Sequence, residues 1–177
     1  PSVELRHRKM EEKLLAIADE VIALSASKEQ IEVIAVHDQE TDIRVYKGEL
    51  ESFTASESQG VGIRVVQDGR QGMAYAGSLD MEILKETLSE ARDNATFGTF
   101  DEMLQIAEPD DVEPISLDLY NPALKEFATE DKIALARELE EYIMKSDERI
   151  VGVESSEYVD SISASAIVTS SGIRRSS

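Results

Sequence analysis

The sequence predicts an α+β fold, with helices packed on a mainly antiparallel sheet and arranged as helix–hairpin units. Three observations lead there. Asp68-Gly69 separates two runs of strict apolar alternation, and three longer stretches repeat apolar residues every three or four positions. The 177 residues are also 41% apolar, enough to bury a core.

Residues 11–26 read as an amphipathic helix, with Leu14, Ala18, Val21 and Ile22 on one side and Glu11, Glu12, Asp19 and Glu20 elsewhere. Residues 1–10, which include Arg6-His7-Arg8-Lys9, are expected to form a disordered leader. Residues 31–37 and 43–46 are rich in β-branched side chains, and the polar stretch 38–41 is expected to join them as a hairpin. Lys47-Gly48-Glu49 then turns the chain into a strand over 50–55, and 56–59 reads as a polar break.

The clearest local signal comes next. Val61, Ile63 and Val65 alternate with Gly62, Arg64 and Val66, and Asp68-Gly69 supplies the positive φ angles of a type I′ turn. The returning strand, 70–77, carries Met73 and Tyr75 on one face and Gly72, Ala74 and Ala76 on the other. Asp80 is placed to cap a helix over 81–95, with Met81, Leu84, Leu88, Ala91 and Ala95 as its apolar stripe. Residues 98–128 form an acidic, Pro-containing linker, so 11–97 is expected to be one subdomain of a helix, about five strands and a helix. Residues 129–177 form the truncated start of a following region. Thr129 caps its helix over 130–146, which buries Leu135, Ala136, Leu139, Tyr142 and Ile143, and strands follow at 150–158 and 161–170. Ser171-Gly172 turns the chain into a further strand at Ile173-Arg174-Arg175, which leads us to expect a fragment of a longer polypeptide.

Charge narrows the function. The chain carries 37 acids against 18 Lys and Arg, a net of −19, and residues 101–160 alone hold 18 acids and 5 bases. Such a surface repels phosphate backbones, which disfavours direct nucleic-acid binding. The acidity either keeps the protein soluble or recruits a basic partner. With no Cys, disulfides, thiolate metal sites and Cys nucleophiles are excluded. No apolar run reaches the roughly 20 residues of a membrane helix, and the N-terminus lacks a signal-peptide centre. A cytoplasmic protein with no membrane partner is expected.

The residues offer no catalytic, cofactor-binding or metal site. A hydrolytic zinc needs three converging ligands and an open position, and the only two histidines, His7 and His37, are thirty residues apart and in no HExxH- or HExxxH-type pattern. His37 reads as an ordinary strand-end residue. The serines of 155–177 have no positioned base beside them. Gly60, Gly62, Gly69 and Gly72 lack Rossmann spacing and a helix opening behind them, so they read as turn and close-packing glycines.

The run Gly60-Val61-Gly62-Ile63-Arg64-Val65, Asp68-Gly69-Arg70-Gln71-Gly72 and Ala74-Tyr75-Ala76 resembles a hairpin of the TldD/PmbA family. Tyr46-Lys47-Gly48-Glu49-Leu50-Glu51 and Ser170-Ser171-Gly172-Ile173 are similar to two of its turns. Leu119-Tyr120-Asn121-Pro122, Asp131-Lys132-Ile133-Ala134-Leu135-Ala136 and Asp147-Glu148-Arg149-Ile150 resemble the PmbA (TldE) branch in particular. The resemblance covers residues 11–177. It implies the N-terminal domain of a subunit of a cytoplasmic, dimeric zinc metallopeptidase that cleaves unfolded peptides and is also described as a modulator of DNA gyrase. It further implies that zinc is bound by an HExxxH helix of the TldD-type subunit, which has no counterpart in these residues. The partners implied are that subunit or a second copy, with unfolded peptide as substrate. Strand edges such as hairpin 60–77 offer backbone groups to such a peptide. The other reading is an acidic binding module that acts on gyrase or another DNA-binding partner without proteolysis.

Overall fold

The computed structural model describes residues 3–110, 112, 115, 117 and 119–177; parts of the expected linker lie outside them. The chain forms a five-stranded antiparallel sheet of order β3-β2-β1-β4-β5 with helices packed on it, the α+β architecture expected. Two compact units divide it: Pro1–His37, Ser58–Ser116 and Ser163–Ser177 in the first, Asp38–Glu57 and Leu117–Ile162 in the second. They are not the two consecutive blocks expected from the linker, because three long strands each contribute residues to both.

Helix α1, Val3–Ile22, begins where a disordered leader was expected. Residues 3–10 lack an apolar stripe but consist largely of good helix formers. His7 pairs with Glu11 one turn on, at 3.2 Å. Leu14, Ala18 and Val21 are fully buried.

Strand β1, Glu29–Tyr46, is continuous through the stretch where a hairpin connection was expected. Nothing between Asp38 and Asp42 is Gly, Pro or in a positive-φ conformation, so polarity alone does not reverse the chain. The reversal falls at Lys47 and Gly48, with φ of 52° and 75°. Strand β2, Glu49–Gln67, is likewise unbroken through 56–59.

The Asp68-Gly69 turn forms as predicted, with φ of 51° and 69°. It pairs β2 with β3, Arg70–Ala76, in the register Val61↔Ala76, Ile63↔Ala74, Val65↔Gly72. Val61, Ile63 and Val65 are buried, while Met73 and Tyr75 point to solvent. Helix α2, Met81–Thr96, starts on Asp80, whose carboxylate accepts the N–H groups of Glu82 and Ile83. It lays Leu84, Leu88 and Ala91 into the same core, and Ala95 is buried as well. Gly72 admits that helix: a Cβ there would lie 2.1 Å from the Ala91 carbonyl oxygen.

Glu29 ties the start of β1 to α2. Its carboxylate accepts from Arg92 Nη2 at 2.6 Å and Nε at 3.0 Å, and from the Ala26 N–H at 2.6 Å. The Arg92 hydrogen bonds outweigh burial and hold its pKa below the usual carboxylate range. A depressed folded pKa gives stability that is complete above the unfolded value and is lost as pH falls through the folded one. Glu29→Gln should therefore flatten the acidic limb of a Tm–pH curve; an unaltered limb would contradict the assignment.

In the second unit, helix α3 is Ala123–Glu126 and helix α4 is Thr129–Ser146. Thr129 is the first helical residue instead of the cap, and Ala128 in the cap position makes no side-chain bond. The expected buried face is also displaced. Lys132, Ala136 and Glu140 are buried, whereas Leu135, Leu139 and Tyr142 are exposed. Strand β4, Ser156–Thr169, is one strand where two were expected. Strand β5, Arg174–Ser176, returns beside it after the predicted Ser171-Gly172 turn.

Candidate functional site

The chemistry-bearing side chains of the second unit collect where α4 lies on β1 and β4. Ile43, Val45 and Ala136 form a small apolar floor, with Ile133 and Tyr158 against it. Two charged residues of α4 face inward beside this floor, and each has a specific partner.

Glu140 accepts the Lys47 N–H at 2.7 Å and the Gly48 N–H at 2.6 Å, one on each carboxylate oxygen. The positive-φ turn leaves those donors without a strand partner, and a buried carboxylate takes both. Beside it lies a cavity of about 600 Å³, bounded by Tyr46, Lys47, Arg137, Met144, Val151 and Val153. The Lys47 ammonium sits 5.0 Å from the centre of the Tyr46 ring.

One turn of α4 before Ala136, Lys132 Nζ lies 2.5 Å from Asp160 Oδ2, with both side chains about nine-tenths buried. Lys132 also stands 5.7 Å from the centre of the Tyr158 ring. The Tyr158 hydroxyl is pushed up to about 12, by burial first and then by its hydrogen bond to Asp160 and that carboxylate's charge. A cavity of about 340 Å³, lined by Gln39, Thr41, Ser56, Lys132 and Asp160 among others, adjoins the pair. Sequence reasoning missed both clusters. Lys132 and Glu140 are eight residues apart on one helix, and charged residues at helical spacing read as a solvated face.

The residues weighed from sequence are not assembled into a centre. His7 is on α1, paired with Glu11, and His37 is buried within β1 instead of ending a strand. Among the described residues no group of three His, Cys, Asp or Glu side chains is placed to hold a metal ion. The described residues do not fit a catalytic zinc. Ser165 and Ser177 bond to each other, Ser156 to the Ala136 carbonyl, and Ser171 to the Ala107 carbonyl. These serines hold structure together. No described helix is long and apolar enough to cross a membrane.

The strand edges differ from the expectation for hairpin 60–77. The outer side of β3 is covered: Asn94 Nδ2 donates to the Met73 carbonyl at 2.9 Å and the Asp101 N–H to the Gly69 carbonyl at 2.8 Å. The α2 backbone lies against Gly72, and Gly98 against Gln71. These contacts meet the chain from Gly69 to Met73.

Solved structures share this fold. A Thermotoga maritima protein, provisionally designated a modulator of a DNA gyrase, matches 92% of this chain with 19% identity and a TM-score of 0.73. A Bacteroides thetaiotaomicron protein of like designation matches 94% with 19% identity and a TM-score of 0.72. TldE of Thermococcus kodakarensis matches 94% with 17% identity and a TM-score of 0.65. This chain spans only 36%, 38% and 36% of those three chains. No curated protein matches. The family model "PmbA/TldA metallopeptidase domain 1" matches residues 31–95, and "PmbA/TldA metallopeptidase central domain" matches residues 122–177. The chain belongs to the PmbA/TldD metallopeptidase family, and its matched residues fall in that family's first and central domains.

Proposed function

We propose that this chain is the non-catalytic N-terminal part of a TldD/PmbA-type subunit, nearer the PmbA (TldE) branch, in a cytoplasmic zinc metallopeptidase complex that cleaves unfolded peptides. The observation that carries this reading is the match to two successive domains of the family, in which no group of three His or carboxylate side chains among the described residues is placed to hold a metal. Zinc would then be held by a TldD-type subunit, and that subunit or a second copy would be the partner. The chain's own contribution is a rigid frame. Gly72 lets α2 lie close on the sheet, and Glu140 fixes the reversal between β1 and β2.

The test is co-purification with a zinc-carrying TldD-type subunit, followed by assay on an unfolded protein substrate. Cleavage should require the partner and be abolished by a chelator. Stoichiometric zinc with chelator-sensitive cleavage by residues 1–177 alone would overturn the reading. The gyrase designation of two structural relatives, with the net −13 of residues 101–160, favours a second one: an acidic module that binds gyrase without proteolysis. Salt-sensitive capture of gyrase, with no TldD-type association, would decide for it.

A further inference from the structure

We infer that the cavity between the β1–β2 turn and α4 is a binding site for a carboxylate carried on an apolar body, the chemistry shared by a peptide's C-terminal residue and a free organic acid. All of its lining belongs to the second unit. Its volume, about 600 Å³, is that of a small-ligand pocket. Tyr46, Met144, Val151 and Val153 give it an apolar wall. Tyr46 and Met144 are 38% and 39% exposed and Val151 is 93% exposed, so an apolar guest gains by covering them.

Charge decides the other end of the guest. Of the seven bases in this unit, Arg44, Lys132, Lys145 and Arg149 each meet a carboxylate. Lys47, Lys125 and Arg137 meet none among the described residues, although acids far outnumber bases there. Two of those three, Lys47 and Arg137, line this one cavity. Lys47 is mounted on the positive-φ turn, with its ammonium 5.0 Å from the centre of the Tyr46 ring. Arg137 shares a face of α4 with Glu140, Glu141 and Met144, three, four and seven residues on. The two carboxylates of the wall are already matched. Glu140 accepts the backbone N–H groups of Lys47 and Gly48, and Glu141 accepts from Lys145 Nζ. What is left for a guest is an ammonium and a guanidinium, which a carboxylate meets with charge-assisted hydrogen bonds. A phosphate dianion would face Glu140 and Glu141 with twice the negative charge, so the wall suits a monoanion better.

The probes are N-acetyl-phenylalanine, a short peptide ending in phenylalanine, the C-terminal amide of each, and phenyl phosphate. Each is titrated into the isotope-labelled 177-residue chain while its backbone amide resonances are followed. The acids should shift the amides of Tyr46, Lys47, Gly48, Val151, Gly152 and Val153 and bind at least about tenfold more tightly than the amides. Lys47→Gln and Arg137→Gln remove the cations but keep the backbone N–H groups that Glu140 holds. Each should weaken the acids at least about fivefold and leave the amides unchanged. Val151→Glu sets a carboxylate at the cavity on a side chain 93% exposed and should also weaken the acids, which covers a glutamine variant that fails to fold. Equal binding of N-acetyl-phenylalanine and the peptide assigns the terminal residue as the ligand, and binding of one alone assigns that source. Absence of binding, equal affinity for acid and amide, shifts confined to other parts of the chain, unaltered binding in all three variants, or tighter binding of phenyl phosphate would each overturn the inference.

Discussion

Replacing Gly72 with alanine is expected to destabilise the chain by about 3 kcal/mol, the upper range of overpacking a close-packed contact. The added Cβ would lie 2.1 Å from the Ala91 carbonyl oxygen, 2.2 Å from the Ala95 nitrogen and 2.7 Å from the Asn94 carbonyl carbon. These are backbone atoms of α2, so relief requires the whole helix to move off β3 and open the contact of Leu84, Leu88 and Ala91 with the sheet. Urea denaturation should show a lower midpoint with an unchanged slope. Gly62→Ala is the control, because a Cβ there meets nothing within 4 Å. It should change stability by less than about 0.5 kcal/mol. Equal effects at the two glycines would mean that helix–sheet approach is not what Gly72 provides.

Asp160→Ala is expected to cost about 3–5 kcal/mol, because it leaves the Lys132 ammonium buried without its counter-charge. The cost belongs to the orphaned charge and not to the pair. Lys132→Met combined with Asp160→Ala should therefore recover most of it, and a cycle of the two single variants and the double measures that coupling. Tyr158 gives a second readout. Its hydroxyl loses the hydrogen bond and the neighbouring negative charge, so its titration should move down from about 12, with the contribution of burial retained. A double variant no more stable than Asp160→Ala, together with an unmoved Tyr158, would show that the two charges act independently.

The legible parts of the fold were those fixed by local stereochemistry. Asp68-Gly69, the Asp80 cap and the stripe Leu84, Leu88, Ala91 and Ala95 each need only a few neighbouring residues, and all three occur where the pattern placed them. Polarity misled wherever it stood in for stereochemistry. The stretches 38–41 and 56–59 read as breaks because they are hydrophilic, yet neither holds a glycine, a proline or a positive-φ residue, and β1 and β2 run straight through. The strands are long enough to serve two compact units, which a reading by consecutive blocks does not anticipate.

Helix α4 shows the other limit. Its periodicity identified a helix, but the face holding Leu135, Leu139 and Tyr142 is exposed, and Lys132 and Glu140 are buried. Burying two charges is favourable only because Asp160 meets one and the paired N–H groups of Lys47 and Gly48 meet the other. Those partners come from 28 residues later and more than 90 residues earlier in the chain, as the positions of Asp160 and Lys47 show.

The sequence by itself determined the α+β class, the turns that need positive φ and the family whose motifs it carries, because each rests on residues close together along the chain. It also set its two histidines thirty residues apart and outside any HExxH- or HExxxH-type pattern. Only the tertiary structure decided which charges are buried and which partner each of them meets. Those depend on distant segments meeting, and the free energy of a buried charge is set by the partner it finds.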